Sequence, residues 1–476
     1  MKRILQFFLF LAFLVSATSC DDFLDINDDP LAATQADPDL LFPTALLDFS
    51  MNRTVENTPS FAAFAQHWAS GGSAGVFISP ERYIIGVFGP GNTWVNNYAS
   101  VLKNMLLARL DAEAAGRNNV VAQIKIVEAM TYLYLTTTFG DIPFTEAVDL
   151  ETANPRFDPQ EVVLDGIVAR LDEALALIDL SSTDAVRDGD LIYKGDIAKW
   201  QRYANSLKFK TLMLIQNKKD VSAQIAATVT QPMITSVADE AAFPYFDAPN
   251  NQNPIWKITL LFSGGQNVWF HANNTTLDLM NALDDPRIPT YFDTNGAGAY
   301  RGIAPGSAAG AFSDNFSTVS GNIIRADFPD RLTTAGEILL LQAEAAAKGI
   351  IPGGLGAAND LYRQGVQASM DFYNGKPGAI PAAAKTAYLN SLPNLASRPQ
   401  AAALEAIYAQ QYLDLFGRGI EAWTQWRRVK FPELTLPIQA QLGTIIRRYP
   451  YAVDELAANI NAPSQPTLDS PMWFEN

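Results

Sequence analysis

The chain has 476 residues, of which 48% are hydrophobic and 18% charged, and its mean hydropathy is +0.01, so it can fill a sizeable core and is neither disordered nor a multi-span membrane protein. Fifty Asp and Glu stand against 34 Lys and Arg, a net charge of −16, and no basic stretch offers the phosphate-neutralising surface that nucleic acid requires as a main partner. One cysteine permits no internal disulfide and no Cys-rich metal site, and two histidines leave little for zinc or general-base chemistry.

Residues 1–19 carry Lys2 and Arg3, then an apolar run from Ile4 to Val15 broken only by Gln6, then Ser16, Ala17, Thr18 and Ser19. This is the layout of a secretory signal peptide. Its apolar core is shorter than the roughly 20 residues a spanning helix needs, and no later segment reaches about 18 uninterrupted apolar residues. Ala17-Thr18-Ser19-Cys20 resembles a bacterial lipobox, whose cysteine is acylated and becomes the first residue of the mature protein. Several acyl chains on Cys20 would anchor it stably, so the expected protein is tethered to a membrane, not embedded in it.

Residues 21–60 are rich in Asp, Asn and Pro and read as an extended leader that becomes ordered near Leu40 to Phe49. Helical periodicity then takes over. Residues 96–115 form a helix with Val101, Leu102, Met105, Leu106 and Leu110 inward and Gly116 as its stop. A second helix, about 119–139, ends at Phe139-Gly140, with Pro143 just beyond. Asp158 caps the next helix, with Pro159 at its first position and Glu161 closing a capping box; this helix buries Val163, Ile167, Leu171, Leu175 and Ile178, and 196–217 is its partner. Between about 218 and 330 the pattern dissolves into Pro, Gly, Asn and aromatic residues. Helical pairs resume at 331–348 with 355–373 and at 399–416 with 420–429. The chain therefore divides into a signal, 1–19, and one domain, 20–476. The domain's helix-pair scaffold lies at about 96–217 and 331–430, with loop-rich insertions at about 60–95 and 218–330. The four hairpins share no fixed period, yet none can bury its face alone, so they are expected to stack.

Several segments resemble a known family. Tyr193 to Lys208 (YKGDIAKWQRYANSLK), Leu135 to Pro143 (LTTTFGDIP), Asp284-Asp285-Pro286-Arg287, Phe416 to Arg428 (FGRGIEAWTQWRR), Arg447 to Tyr451 and Cys20 to Asp25 occur in this order along nearly the whole chain. Together they are similar to the SusD/RagB family of outer-membrane nutrient-binding lipoproteins. The Gly-, Pro- and Ala-rich stretch 374–398 departs from that pattern. The resemblance implies an all-α dominated SusD-like fold with four tetratricopeptide-like helix pairs and loops that carry the ligand. It further implies a protein that is not an enzyme, lipid-anchored on the outer membrane and exposed at the cell surface. There it would capture an oligosaccharide, or in some members a peptide, for a SusC-like TonB-dependent transporter. Asp21-Asp22 is similar to the surface-export signal of such lipoproteins.

Other candidate sites are weaker. Gly71 to Gly75 matches G-x-S-x-G, but it follows a helical stretch and lacks the alternating strands and helices of a hydrolase, so a secreted serine hydrolase using Ser73 is a distant rival. A scaffold protein without a ligand is another. Asp25 to Asp29 begins like a calcium loop, yet Pro30 takes the glycine position and Ala36 that of the bidentate Glu. No cofactor or metal is expected, beyond calcium on scattered carboxylates as an open alternative. His67 and His271 read as partly buried hydrogen-bonding side chains, and Glu421 with Arg427 and Arg428 as structural ion pairs.

A glycan site needs exposed aromatic platforms beside planar polar side chains. Two stretches offer that mixture. From Phe61 to Tyr98, Trp94 lies in a Gly89-Pro90-Gly91-Asn92-Thr93 string that reads as a loop, near Arg82, Tyr83 and Asn97. Residues 243–316 hold twelve aromatic residues in 74, denser than the chain-wide 11%, and include Trp269 and Tyr300. The expected ligand-binding set is Trp94, Tyr83, Arg82, Asn97, Trp269 and Tyr300, whereas Trp200, Tyr203, Trp423 and Trp426 read as scaffold.

Overall fold

The computed structural model describes residues 37–71, 75–149, 151–267, 269–308 and 313–475, so the signal, Cys20, the Asp25 to Asp29 segment and Ser73 lie outside the described residues. Pro38–Asn476 forms one compact unit and is all-α dominated. Its helices are α1 (Pro38–Asn52), α2 (Thr58–Phe64), α3 (Gly75–Glu81), α4 (Phe88–Val95), α5 (Lys103–Ala114), α6 (Asn118–Phe139), α7 (Gln160–Leu177), α8 (Ile197–Ile215) and α9 (Ser222–Thr228). The second half carries α10 (Pro254–Ser263), α11 (Asn274–Ala282), α12 (Ile288–Tyr291), α13 (Ala335–Ala347), α14 (Gly354–Asp371), α15 (Ala382–Ser391), α16 (Gln400–Asp414), α17 (Gly419–Val429) and α18 (Val453–Ala458). Wider π-type turns, Arg53–Asn57 and Asn96–Leu102, lead into α2 and α5.

The four expected pairs are present as α5 with α6, α7 with α8, α13 with α14 and α16 with α17. Neighbouring pairs pack on one another, α6 against α7 and α13 against α16. Gly116 and Gly140 end α5 and α6 at φ 69° and 92°, positive values that a Cβ disfavours. α6 is the axis of the array: all its residues except Asn118 and Lys125 are buried. The scaffold aromatics Trp200, Tyr203, Trp423 and Trp426 are buried as expected.

The leader becomes ordered where expected, as a helix from Pro38, because Phe42, Ala45, Leu46 and Phe49 form one buried face at helical spacing. Two local expectations are corrected. Asp158 does not cap α7. Its carboxylate accepts from the Phe144 and Thr145 amides at 3.1 and 2.7 Å, while Asp141 accepts from the Gln160 amide at 2.8 Å and Glu161 pairs with Lys219 at 2.9 Å. Leu110 faces solvent. Within the unassigned 374–398 stretch, α15 forms because Lys385 and Tyr388 turn inward, the Tyr388 hydroxyl donating to Asp285 at 3.0 Å.

Buried charge ties scaffold to loops. Arg287 and Asp285, both fully buried, pair at 2.5 Å, and Arg287 also reaches Ser369 on α14 and Gln410 on α16. Arg428 of α17 pairs with Glu344 of α13 at 2.5 Å. Glu421 pairs with Arg53 rather than with its helix neighbours, and Arg427 lies over the Trp423 ring, 3.8 Å from its centroid. Two short antiparallel ladders sit beside the helices: β1 (Trp68–Ala69) with β3 (His271–Ala272), and β2 (Ala241–Phe243) with β4 (Asp330–Thr333). A second, smaller core around Trp68, Phe270, Tyr291, Phe292 and Phe416 underlies the loop-rich part.

Candidate functional site

An open groove of ≈ 590 Å³ lies between α11 and the segment 300–308, within the range typical of ligand sites. One wall is a single helix face: Asn274, Leu277, Asp278 and Asn281 recur at helical spacing. Asn273 starts that helix by accepting from the Thr275 amide at 3.0 Å. The opposite wall is irregular and presents Tyr300, Arg301 and Ser307, with Phe316 beside them. Backbone bonds hold the walls together: the Asn274 amide donates to Ile303 at 3.0 Å, Ile303 to Ala272 at 2.9 Å, and Ser317 to Arg301 at 2.8 Å. The Arg301 guanidinium carbon lies 5.0 Å from the Phe316 ring centroid. Asp278, Asn281, Tyr300 and Arg301 are exposed. Burial, and then the Asp293 carboxylate, push the Tyr300 hydroxyl above its ordinary range, so at neutral pH it is protonated and can both donate and accept.

Of the six expected ligand residues, Tyr300 alone lines this groove, with 37% of its surface exposed. Trp94 is not on a turn. Phe88–Val95 is helix α4, with Pro90 in its first turn where no amide is needed. The indole is only 5% exposed, enclosed by Tyr98, Phe139, Phe157 and Tyr451, and its N–H donates to Glu455 at 3.2 Å. Tyr83 is buried against Phe64. Asn97 is fully buried and donates to the Thr93 carbonyl at 2.7 Å. Trp269 is half-buried, edge-on to Phe77 with centroids 6.1 Å apart. Arg82 sends two N–H groups to the Gly306 carbonyl at 2.9 and 2.7 Å. The platform expected around Trp94 is therefore core, because the neighbouring aromatics offer the indole more contact than a turn would.

The profile of a family described as "Starch-binding associating with outer membrane" matches residues 30–452 of the chain. The chain belongs to the SusD-like family. No curated protein matches this SusD-like sequence. Among solved structures, a chitin-binding protein superposes at a TM-score of 0.79 with 23% identity over 92% of this chain and 100% of its own. A chitin-binding SusD homologue from Flavobacterium johnsoniae gives 0.74 and 21%, over 91% and 98% of the two chains. A SusD homologue from Bacteroides fragilis gives 0.74 and 22%, over 92% and 99%. At these identities the likeness establishes a shared SusD-like fold. The family is one of binding proteins, not of enzymes.

In this SusD-like protein the groove offers contact and hydrogen bonding. Sequence reading alone missed Asn274, Asp278, Asn281, Arg301 and Phe316. The i, i+4, i+7 recurrence of polar residues after the Asn273 cap was the available signal, and it lay inside a stretch without other helical periodicity. Both histidines lie elsewhere and are buried. Burial pulls His67 down to about 3 although its ring bonds the Tyr412 carbonyl at 3.0 Å, and pulls His271 down to about 4. Among the described residues no group of three or more His, Cys, Asp or Glu side chains converges as a metal site, and no helix is long and apolar enough to cross a membrane. A separate cavity of ≈ 90 Å³ inside the helix array is walled by Phe49, Met130, Leu207 and Leu341 and by Arg53, Glu421 and Arg428, charges already paired.

Proposed function

We propose that the chain is a cell-surface lipoprotein that captures an oligosaccharide in the Tyr300 groove and passes it to a SusC-like TonB-dependent outer-membrane transporter. The observation that carries the reading is the pairing of an exposed tyrosine with planar polar side chains along one open groove. Sugar rings present apolar C–H faces ringed by hydroxyls, which Tyr300 and Phe316 can stack and Asn274, Asn281, Asp278 and Arg301 can bond. Neighbours of the same fold are named for chitin binding, which makes a glycan the first ligand to try. A helix face forms one wall, whereas peptide capture by strand addition needs an open strand edge. In this reading residues 1–19 are removed as a signal and acyl chains on Cys20 tether the rest, since several chains suffice for stable anchoring.

Calorimetric titration of the full chain with chitohexaose and with maltohexaose tests the binding step. Saturable binding of either is the expected result; no binding to these or to any member of a broad glycan array would overturn it. For the tether, Cys20→Ala is expected to leave the membrane fraction, and its recovery there at wild-type level would remove the anchor from the proposal.

A further inference from the structure

The groove's irregular wall is fastened at one residue. Gly306 has φ 75°, and a Cβ added there would lie 2.5 Å from the Ile438 carbonyl oxygen and 2.6 Å from its nitrogen, so the chain passes this point with room for hydrogen only. Both its backbone polar groups are taken by consecutive side chains at the end of α3. The Gly306 amide donates to Glu81 at 2.7 Å, and its carbonyl accepts the paired N–H groups of Arg82. The other Glu81 oxygen accepts from the Ser70 amide at 2.8 Å and the Ser70 hydroxyl at 2.5 Å. The next segment closes the same point from outside: the Ile438 amide donates to Pro305 at 2.9 Å and the Gln441 amide to the Arg82 carbonyl at 2.8 Å.

We propose that Glu81 and Arg82 form a latch that sets the position of the 304–308 wall and hence the width of the ligand groove, making both positioning residues for binding. The inference rests on the reading of the groove as the ligand site. Glu81 is only 1% exposed, and burying a carboxylate is costly unless its acceptor sites are used. Here three donors from two distant segments use them. Burial still leaves Glu81 above the usual carboxylate range, opposed by its bonds to Ser70 and Gly306 and by Arg82. A glutamine would avoid that desolvation, but with one acceptor oxygen in place of two it would set its NH₂ against the donors of one of the two segments. Arg82 likewise makes a two-donor fork that lysine cannot reproduce. Ala304, Ser307 and Ala308, the wall residues on either side of Gly306, line the groove directly, so a shift of this one residue changes what Tyr300 faces.

The test pairs a ligand-free measurement with a binding one. Hydrogen exchange of the 304–308 segment, read by mass spectrometry on the full chain, is expected to rise about tenfold in Glu81→Gln and in Arg82→Met while α6 keeps its protection. Arg82→Lys is expected to fall between. Affinity for chitohexaose or maltohexaose, whichever the wild type binds, is expected to drop about tenfold in the same variants. If Glu81→Gln does not fold, Arg82→Met and Gly306→Ala attack the same point from its other sides. Unchanged exchange in 304–308 would overturn the latch, and faster exchange with undiminished affinity would overturn its role in binding. If neither sugar binds the wild type, the glycan reading fails and the exchange arm still decides the latch.

Discussion

α6 and the groove wall at 300–308 solve the same problem, satisfying a buried backbone, by opposite routes. In α6 the amides and carbonyls pair within the helix, and even polar side chains turn back onto it: Thr131, Thr137 and Thr138 donate to carbonyls four residues earlier at 2.8, 2.7 and 2.7 Å. The wall has no such internal ladder. Its partners come from Glu81, Arg82, Asn274 and Ser317, far away in sequence or across the groove. A self-satisfied element can be buried on nearly every side and be rigid, whereas an element held by borrowed partners can stay open on one side and present side chains to a ligand.

The sharpest way to break this contrast is to move Trp94 to the other class. If it belongs to the rigid body, Trp94→Ala removes an indole packed by four aromatic rings and costs about 3–5 kcal/mol of folding stability, measured by denaturant titration. A loss below about 1 kcal/mol with weakened glycan binding would return it to the site. Glu344→Gln, which leaves Arg428 buried without its carboxylate, belongs at the same end of the scale, at about 3–5 kcal/mol.

These residues also show what the amino-acid sequence discloses. The helix pairs were legible because glycine stops at 116 and 140 and apolar spacing are local signals, and local signals suffice where the backbone bonds are local. Trp94 was misread for the converse reason. The string Gly89 to Thr93 has the composition of a turn but forms helix, and Gly89 lies so close to Tyr449 that a Cβ would meet its hydroxyl at 2.5 Å, a contact from 360 positions away that no local signal announces. Tyr300 could be placed in an aromatic-rich loop region, but its partners across the groove could not, since nothing near Asn274 announces that the chain returns at residue 303.

Acid sharpens the comparison next. His67 and His271 are held neutral by burial, with folded-state values near about 3 and about 4 against an ordinary value of 6.5. The unfolded chain therefore takes up protons below 6.5 that the folded chain refuses. Stability from each histidine is complete above that pH and is lost as pH falls toward the folded value, by at most about 1.4 kcal/mol per pH unit for each. Buried carboxylates complicate the raw curve: Glu240 and Asp330 are raised, mainly by burial, and shift it in the opposite sense. The informative quantity is the difference between the wild type and His67→Gln/His271→Gln across pH 7 to 5. It should narrow as pH falls, because only the wild type carries the histidine term. A constant difference over that interval would place both imidazoles in contact with water.

The smallest expected change in stability belongs to Tyr300, and there the two routes separate most clearly. Its ring is half open to solvent on a wall whose bonds are made by other residues' backbone, so truncation removes little buried apolar surface and leaves the Ile303 and Ser317 bonds standing. Surface substitutions of this kind stay within about 0.5 kcal/mol. The same ring is the exposed aromatic that a sugar face can cover, and loss of an anchor at the centre of a binding surface costs about 2 kcal/mol, or roughly thirtyfold in affinity. Tyr300→Ala should thus leave the melting temperature nearly unchanged while weakening the bound glycan in calorimetry. Tyr300→Phe should keep most of the affinity, since the stacking face survives and only a hydroxyl is lost. Equal losses in both variants would shift the weight from stacking to the hydroxyl. A large drop in melting temperature would make the wall part of the rigid body and erase the distinction between it and α6.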